Sequence, residues 1–254
     1  MSAQKTSTDN SVARWLVWIG FTLAVLCVAA AILSGFGYRL DLWDFRDGFH
    51  IFKWTFQLGI AAVALSLVGL IIPSRRTGSM ITMGLLGLII GGIAVYVPWN
   101  WKQTLDAYPY IHDITTDLND PPAFVVVASV RRDSDHPVTY DGPEVAEKQR
   151  QAYPELKSLL VSADPAAVFA AARKAVGDMG MELVDASEGD MRIEATQTSL
   201  FYGFKDDIVV RIVAVPQGTK VDVRSKSRVG RSDIGQNAKR IKEFLAQLEL
   251  NLAA

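Results

Sequence analysis

Thiols, histidines and any basic surplus are scarce in this chain of 254 residues. The one cysteine, Cys27, sits inside an apolar run, which excludes an intrachain disulfide framework and a thiol-pair metal site. Beyond residue 100 there are two histidines, His112 and His136. His112 and Asp113 with Asp117 fall short of the ligand set a hydrolytic metal site needs, so no metal and no cofactor is expected. Lys plus Arg number 26 against 27 Asp plus Glu. That balance lacks the strongly basic character of a nucleic-acid-binding domain, and no nucleic-acid partner is expected.

Charge is missing most completely from three stretches, 15–36, 54–72 and 78–98. About 20 apolar residues cross a bilayer core as a helix, and each stretch has that length. Trp15, Trp18, Trp54, Trp99 and Trp101 lie near the ends, where amphipathic rings settle at the headgroup level. The first stretch exceeds the apolar length of a cleaved signal peptide and two more follow it, so all three read as retained spans. Without an ionisable residue inside them they read as an anchor, not a transport path. Gly87 and Gly91 form a GxxxG that suits close packing within the three-helix bundle. The loop 37–53 mixes aromatics with charges and is expected to lie in the interface.

Lys and Arg in short loops mark the cytoplasmic side. Lys5, Arg14, Arg75 and Arg76 on one side tie with Arg39, Arg46, Lys53 and Lys102 on the other. The very short second loop, with Arg75 and Arg76 against the membrane, tips the expectation toward a cytoplasmic amino terminus. In a bacterial cell the protein is then in the inner membrane with its carboxy-terminal domain in the periplasm.

The rest of the chain carries ordinary charge, 19 basic and 23 acidic residues over 100–254. The expected division is a transmembrane region 1–102, an irregular connecting segment 103–142 holding one short strand at "FVVVASV", and a soluble domain 143–254. Helices are expected at 143–152, at 164–180 with Asp164 as N-cap, and from Ser232 to Leu250. Between them lie strand candidates 181–187, 191–199, 206–215 and 219–228. The fold class is α+β: three transmembrane helices, then a mainly four-stranded antiparallel sheet packed by helices on one face.

Alternation assigns the strand faces. Ile208, Val210 and Ile212 share one face with Val221 and Val223. Asp207, Arg211, Asp222, Arg224 and Arg228 share the other. A turn at Gln217–Gly218 would set Arg211 opposite Arg224 and Asp207 opposite Arg228, with Glu194 beside Arg211 to relieve two facing cations.

The densest stretch is "VDVRSKSRVGRSDIGQNAKRI", residues 221–241. Arg224, Arg228 and Arg231 precede a helix amino terminus, which itself attracts anions. They form, with Ser225, Ser227, Ser232, Asp233, Asn237, Arg240, Glu194, Asp206, Asp207 and Arg211, a candidate ligand-binding set. The structural alternative has Ser232 or Asp233 capping the helix and the arginines pairing with Glu194, Asp206 and Asp207. No catalytic residue is expected: a serine nucleophile lacks an adjacent base, since Lys226 points away from Ser225 and Ser227. Ser227 with His112 or His136 stays open. A pair made of Glu194 with Asp206 or Asp207 would be held ionised by its arginine neighbours, the wrong state for a general acid.

With "IEATQT" and "FKDD" ahead of it, this stretch resembles the signature of the family called domain of unknown function 1499, whose members read RSxSRxGxSDxGxNxxRI. Arg224, Ser225, Ser227, Arg228, Gly230, Ser232, Asp233, Gly235, Asn237, Arg240 and Ile241 match it. "IHDITTD" at 111–117 and "YDG" at 140–142 resemble the branch with an amino-terminal membrane region. Where many relatives have Asn-Arg, this chain has Asn237-Ala238, one positive charge fewer. The resemblance implies a domain and no reaction. The expected function is a non-enzymatic, membrane-anchored envelope protein that binds an anionic ligand or another envelope protein. The alternative is a hydrolase or transferase in which Glu194 and Asp207 act on an anionic substrate clamped by Arg224 and Arg228. The lipid bilayer is the expected partner in either case.

Overall fold

The computed structural model describes residues 2–73 and 77–253, with side chains from residue 11 onward. Arg75 and Arg76, which tip the expected orientation, lie outside the described residues. The chain divides into two compact units: Met1–Thr104 with Phe201–Gly203, and Leu105–Leu200 with Phe204–Ala254.

The first unit contains helices α1 (Ser2–Arg39), α2 (Phe45–Ile71) and α3 (Gly78–Ala107). All three are long and apolar enough to cross a membrane. The expected interfacial loop 37–53 shrinks to 40–44, because α1 runs on to Arg39 and α2 starts at Phe45, where the Asp44 side chain accepts from the Arg46 N–H. In lipid there is no hydrophobic drive between helices, so small residues decide where backbones meet. A Cβ added at Gly20 of α1 would fall 2.4 Å from Ser66 Oγ of α2, and one at Gly87 of α3 2.3 Å from the same atom. Gly91 faces Val63 of α2, so the GxxxG is spent inside the bundle, while a Cβ at Gly92 would have no atom of the described residues within 4 Å.

The second unit is an α+β domain. Its elements are β1 (Asp113–Thr115), α4 (Val127–Val130), α5 (Pro143–Ala152), β2 (Leu159–Val161), α6 (Pro165–Asp178), β3 (Glu182–Ser187), β4 (Arg192–Thr198), β5 (Lys205–Val215), β6 (Gly218–Ser227) and α7 (Gln236–Ala253). The sheet is antiparallel with order β1-β6-β5-β4-β3, and β2 also pairs β6. It therefore has six strands, not four. The two unexpected ones are three residues each and lie along the same edge of β6. Gln149 of α5 holds β1 from its far side, accepting from Thr115 N (3.0 Å) and donating to Thr115 O (2.6 Å).

Helix α6 starts where Asp164 accepts from the N–H groups of Ala166 and Ala167, both 3.0 Å. Its apolar stripe (Val168, Ala172, Val176) and that of α7 (Ile241, Phe244, Leu248) pack on Ile193, Ile208, Val210, Val221 and Val223. This is the single main core, and it covers one face of the sheet. The segment "FVVVASV" is no strand: Val127–Val130 form a helical turn. The buried carboxylate of Glu194 accepts from the N–H groups of Val125 and Val127, each 2.7 Å. A carboxylate at the free N–H groups of a first turn favours helix over the β-branched preference for strand.

The β5–β6 register differs from the expected one by two residues. Val215 pairs Gly218, Arg211 faces Asp222, Val209 faces Arg224 and Asp207 faces Lys226. Likewise Glu194 faces Val209, and Thr196 faces Asp207. A shift of two leaves every side chain on its face. It replaces the Arg211–Arg224 opposition by an Arg211–Asp222 ion pair of 2.9 Å.

Candidate functional site

Strand alternation splits the 221–241 stretch between the two faces of the sheet, so the candidate residues form two clusters and not one site.

The first cluster lies on the face away from α6 and α7, beneath the segment that runs from β1 to α5. Arg224, 2% exposed, is its centre. Its Nε and Nη2 reach the two carboxylate oxygens of Asp113, both at 2.8 Å. It also donates to the carbonyls of Pro122 (3.1 Å) and Val138 (2.9 Å). The rings of Phe124 and Tyr140 lie 5.0 and 5.3 Å from its guanidinium. Lys226, fully buried, donates to Asp141 and lies 3.2 Å from Asp113. Arg228 grips Asp207 with Nε at 2.9 Å and Nη2 at 2.8 Å, and Arg131 adds a third charged donor at 2.9 Å. Thr196 Oγ1 donates to the same carboxylate at 2.6 Å. Glu194 takes Arg192 at 3.0 Å besides the two backbone donors of α4. Arg211 is held by Asp222, Asp117 and Asp120.

The second cluster sits on the helix face, where the apolar core gives out toward the start of α7. Ser225 Oγ donates to Asn237 Oδ1 at 2.6 Å, and Asn237 Nδ2 donates to Ser227 Oγ at 2.9 Å. Arg240 binds Asp206 at 2.6 Å and also donates to Ser225 Oγ and Gln197 Oε1. In the turn between β6 and α7, Asp233 accepts from Gly235 N (2.9 Å) and Asn237 N (2.7 Å). It is therefore the cap that satisfies the free donors ahead of α7, with Ser232 Oγ accepting from Ile234 N at 3.3 Å. Burial pushes the Asp233 carboxyl up to about 6 against the two backbone bonds. Arg231 is the exposed member of the set.

Chemically, these groups are occupied. Glu194 and Asp207 are both fully buried and gripped by arginine. Asp206 lies on the opposite face with Arg240. Ser227 meets His112 through its backbone, N–H to carbonyl at 2.9 Å, while its hydroxyl accepts from Asn237. Asp113 and Asp117, considered beside His112, are taken by Arg224 and Lys226 and by Arg211 and Lys220.

Four residues of the first cluster, Asp113, Asp141, Lys226 and Arg131, are absent from the ligand-binding set expected from sequence. Asp113 and Asp141 lie in the "IHDITTD" and "YDG" segments, far along the chain from the arginines they hold. Lys226 alternates with Ser225 and Ser227, and a lysine on a central strand's covered face requires a buried carboxylate.

Fold and charge arrangement together define a membrane protein with an α+β domain stapled by buried ion pairs. Residues 113–248 match the family described as protein of unknown function DUF1499, and the chain belongs to it. No curated protein matches the chain.

Proposed function

We propose that the chain is a non-enzymatic protein of the bacterial cell envelope. Its spans hold it in the inner membrane, and its α+β domain faces the periplasm and binds an anionic ligand or another envelope protein. The observation that carries the non-enzymatic part is the saturation of the two clusters. Arg224, Arg228 and Arg240 each spend donors on buried carboxylates, so they organise the domain and leave Asp113, Asp206 and Asp207 paired. The one buried hydroxyl beside them without a hydrogen-bond partner among the described residues, that of Tyr140, has no base within hydrogen-bond reach. Recognition then belongs to the rim of this platform, where Arg231 is exposed beside the start of α7. A cation at that place suits an anionic group better than a neutral one.

The test uses the full chain in nanodiscs, screened by thermal shift against phosphate, sulfate, glucuronate and anionic lipid headgroups. Arg231→Ala and Arg228→Ala run in parallel. Stabilisation by one anion class that Arg231→Ala abolishes supports the reading. Arg228→Ala is expected to melt earlier with or without the anion. No shift with any anion removes the anionic-ligand part, and protease digestion of the domain only from the cytoplasmic side removes the periplasmic part.

A further inference from the structure

His112 and His136 stack face to face, with ring centroids 4.2 Å apart and planes 25° from parallel. Neither histidine has a part in the binding reading above. His112 precedes β1, and its carbonyl accepts from Ser227 N (2.9 Å) and Asn237 Nδ2 (3.0 Å). His136 lies in the loop between α4 and α5. Its N–H donates to Arg228 O (2.7 Å), and its Nε2 is 2.8 Å from Gly230 O, so that nitrogen carries the proton. The carbonyl of His136 accepts from Arg131 Nη1 at 2.6 Å. The stack therefore ties the loop 132–138 to the end of β6, above the Asp207–Arg228–Arg131 cluster.

We propose that the His112–His136 stack is an acid-released latch: protonation of both rings parts them and lifts residues 132–138 from Arg131 and Arg228. The geometry opposes a doubly protonated stack, because two imidazolium rings would face each other at 4.2 Å. The charged groups around the pair are mixed. Asp141 Oδ2 is 3.2 Å from His112 Nε2, but Asp141 is already bound to Lys226. Asp113, also near His112, is bound to Arg224 and Lys226. On the other side, Arg131 and the Arg228 backbone contact His136, and Asp135 adjoins it in the chain. Burial first, then the His136 ring, hold the His112 imidazole below its ordinary 6.5, with Lys226 acting the same way and Asp141 and Asp113 opposing. The sign follows. A histidine harder to protonate when folded favours the latched form above pH 6.5 and loses that contribution as pH falls below it.

The test is hydrogen exchange of the full chain in nanodiscs at pH 7.5 and 5.0, corrected for intrinsic rates. The His136 amide and the rest of 132–138 are expected to lose protection by about tenfold or more. The β5–β6 ladder is expected to keep its protection. In a His112→Gln, His136→Gln variant, glutamine can still donate to Gly230 O but cannot titrate, and the pH effect is expected to vanish. Unchanged protection of His136, an equal loss across the ladder, or a loss that persists in the variant overturns the latch. Should the variant fail to fold, imidazole NMR on the unaltered protein decides. Only His50 is present besides the pair. Two coupled titrations, one displaced below 6.5, support the latch, and two independent ordinary titrations overturn it.

Discussion

Removing the Arg224 guanidinium is the sharpest test of the claim that the first cluster holds the domain together. In Arg224→Ala, Asp113 stays fully buried and loses two 2.8 Å charged bonds. It keeps Lys226 at 3.2 Å and the Asp141 N–H at 3.3 Å. Breaking a buried pair from one side costs about 3–5 kcal/mol, and the surviving lysine places this case near the lower end. Loss of the cation between the Phe124 and Tyr140 rings adds about 1 kcal/mol. The sum, about 4 kcal/mol, corresponds to roughly 12 °C in Tm for a domain of this size. Arg224→Lys restores a charge but not the planar fork, and the carbonyls of Pro122 and Val138 lose their donors; about 2 kcal/mol is expected. The assay needs care, because all six tryptophans lie at or before residue 101 and their fluorescence does not report the second unit. Urea unfolding followed by pulse proteolysis of the domain reads it directly. Pairing Arg224→Met with Asp113→Asn should cost less than the two singles added, since no buried charge is orphaned. A loss below about 1 kcal/mol in Arg224→Ala at unchanged m-value would refute the reasoning.

Two further perturbations follow from the same structure. Asp233 has a folded pKa raised from 3.8 to about 6, with burial the main cause. The folded state therefore holds the extra proton between those values, and the group's contribution to stability is full below pH 3.8 and lost as pH rises through 6. Linkage makes that loss about 3 kcal/mol, so Asp233→Asn should gain on the parent by that order between pH 4 and 7 in denaturant titrations; a constant difference between the two proteins defeats the assignment. Gly218 sits at φ 131°, and a Cβ there would fall 2.2 Å from Val161 O. Gly218→Ala should cost about 2–3 kcal/mol and strip amide protection from β2 before the rest of the sheet, and full retention of the β2–β6 pairing would contradict this.

What the sequence makes legible here depends on the range of the interaction that decides each feature. The apolar runs, the Asp164 cap and the stripe of α7 are local, and the helices and long strands of the second unit come out within a few residues of their expected ends, while the membrane helices run well past the apolar stretches that mark them. Strand faces are also local, because side chains alternate. Register is not, since a slip of two keeps Val210, Val221 and Val223 in the core and the pattern cannot see it. Cross-strand charge could have chosen: Arg211 opposite Asp222 is an ion pair, whereas Arg211 opposite Arg224 is a repulsion that needs rescue. Strands β1 and β2 are too short to carry a period, and β1 exists because Gln149 and β6 satisfy its backbone from both sides. The run Phe124–Val130 has strand composition and forms a helical turn because Glu194, 67 residues from Val127, offers its N–H groups a carboxylate.

The same reasoning explains why the partners of the arginines are not legible in the sequence. Arg224, Arg228 and Arg240 stand close together in the chain beside a helix start, the pattern of an anion site. Their counter-ions come from two places, Asp113 on β1 and the adjacent Asp206 and Asp207 on β5, and the first is 111 residues away from its arginine. A buried arginine looks identical in sequence to a binding arginine until its carboxylate is found. The discriminating feature was the alternation already present in "VRSKSR". Serine, lysine and arginine on both faces of one central strand mean that neither face is bare, and that each charge has a partner inside the domain. In such a strand the exposed cation to suspect is the one beyond its end, and Arg231 is that residue.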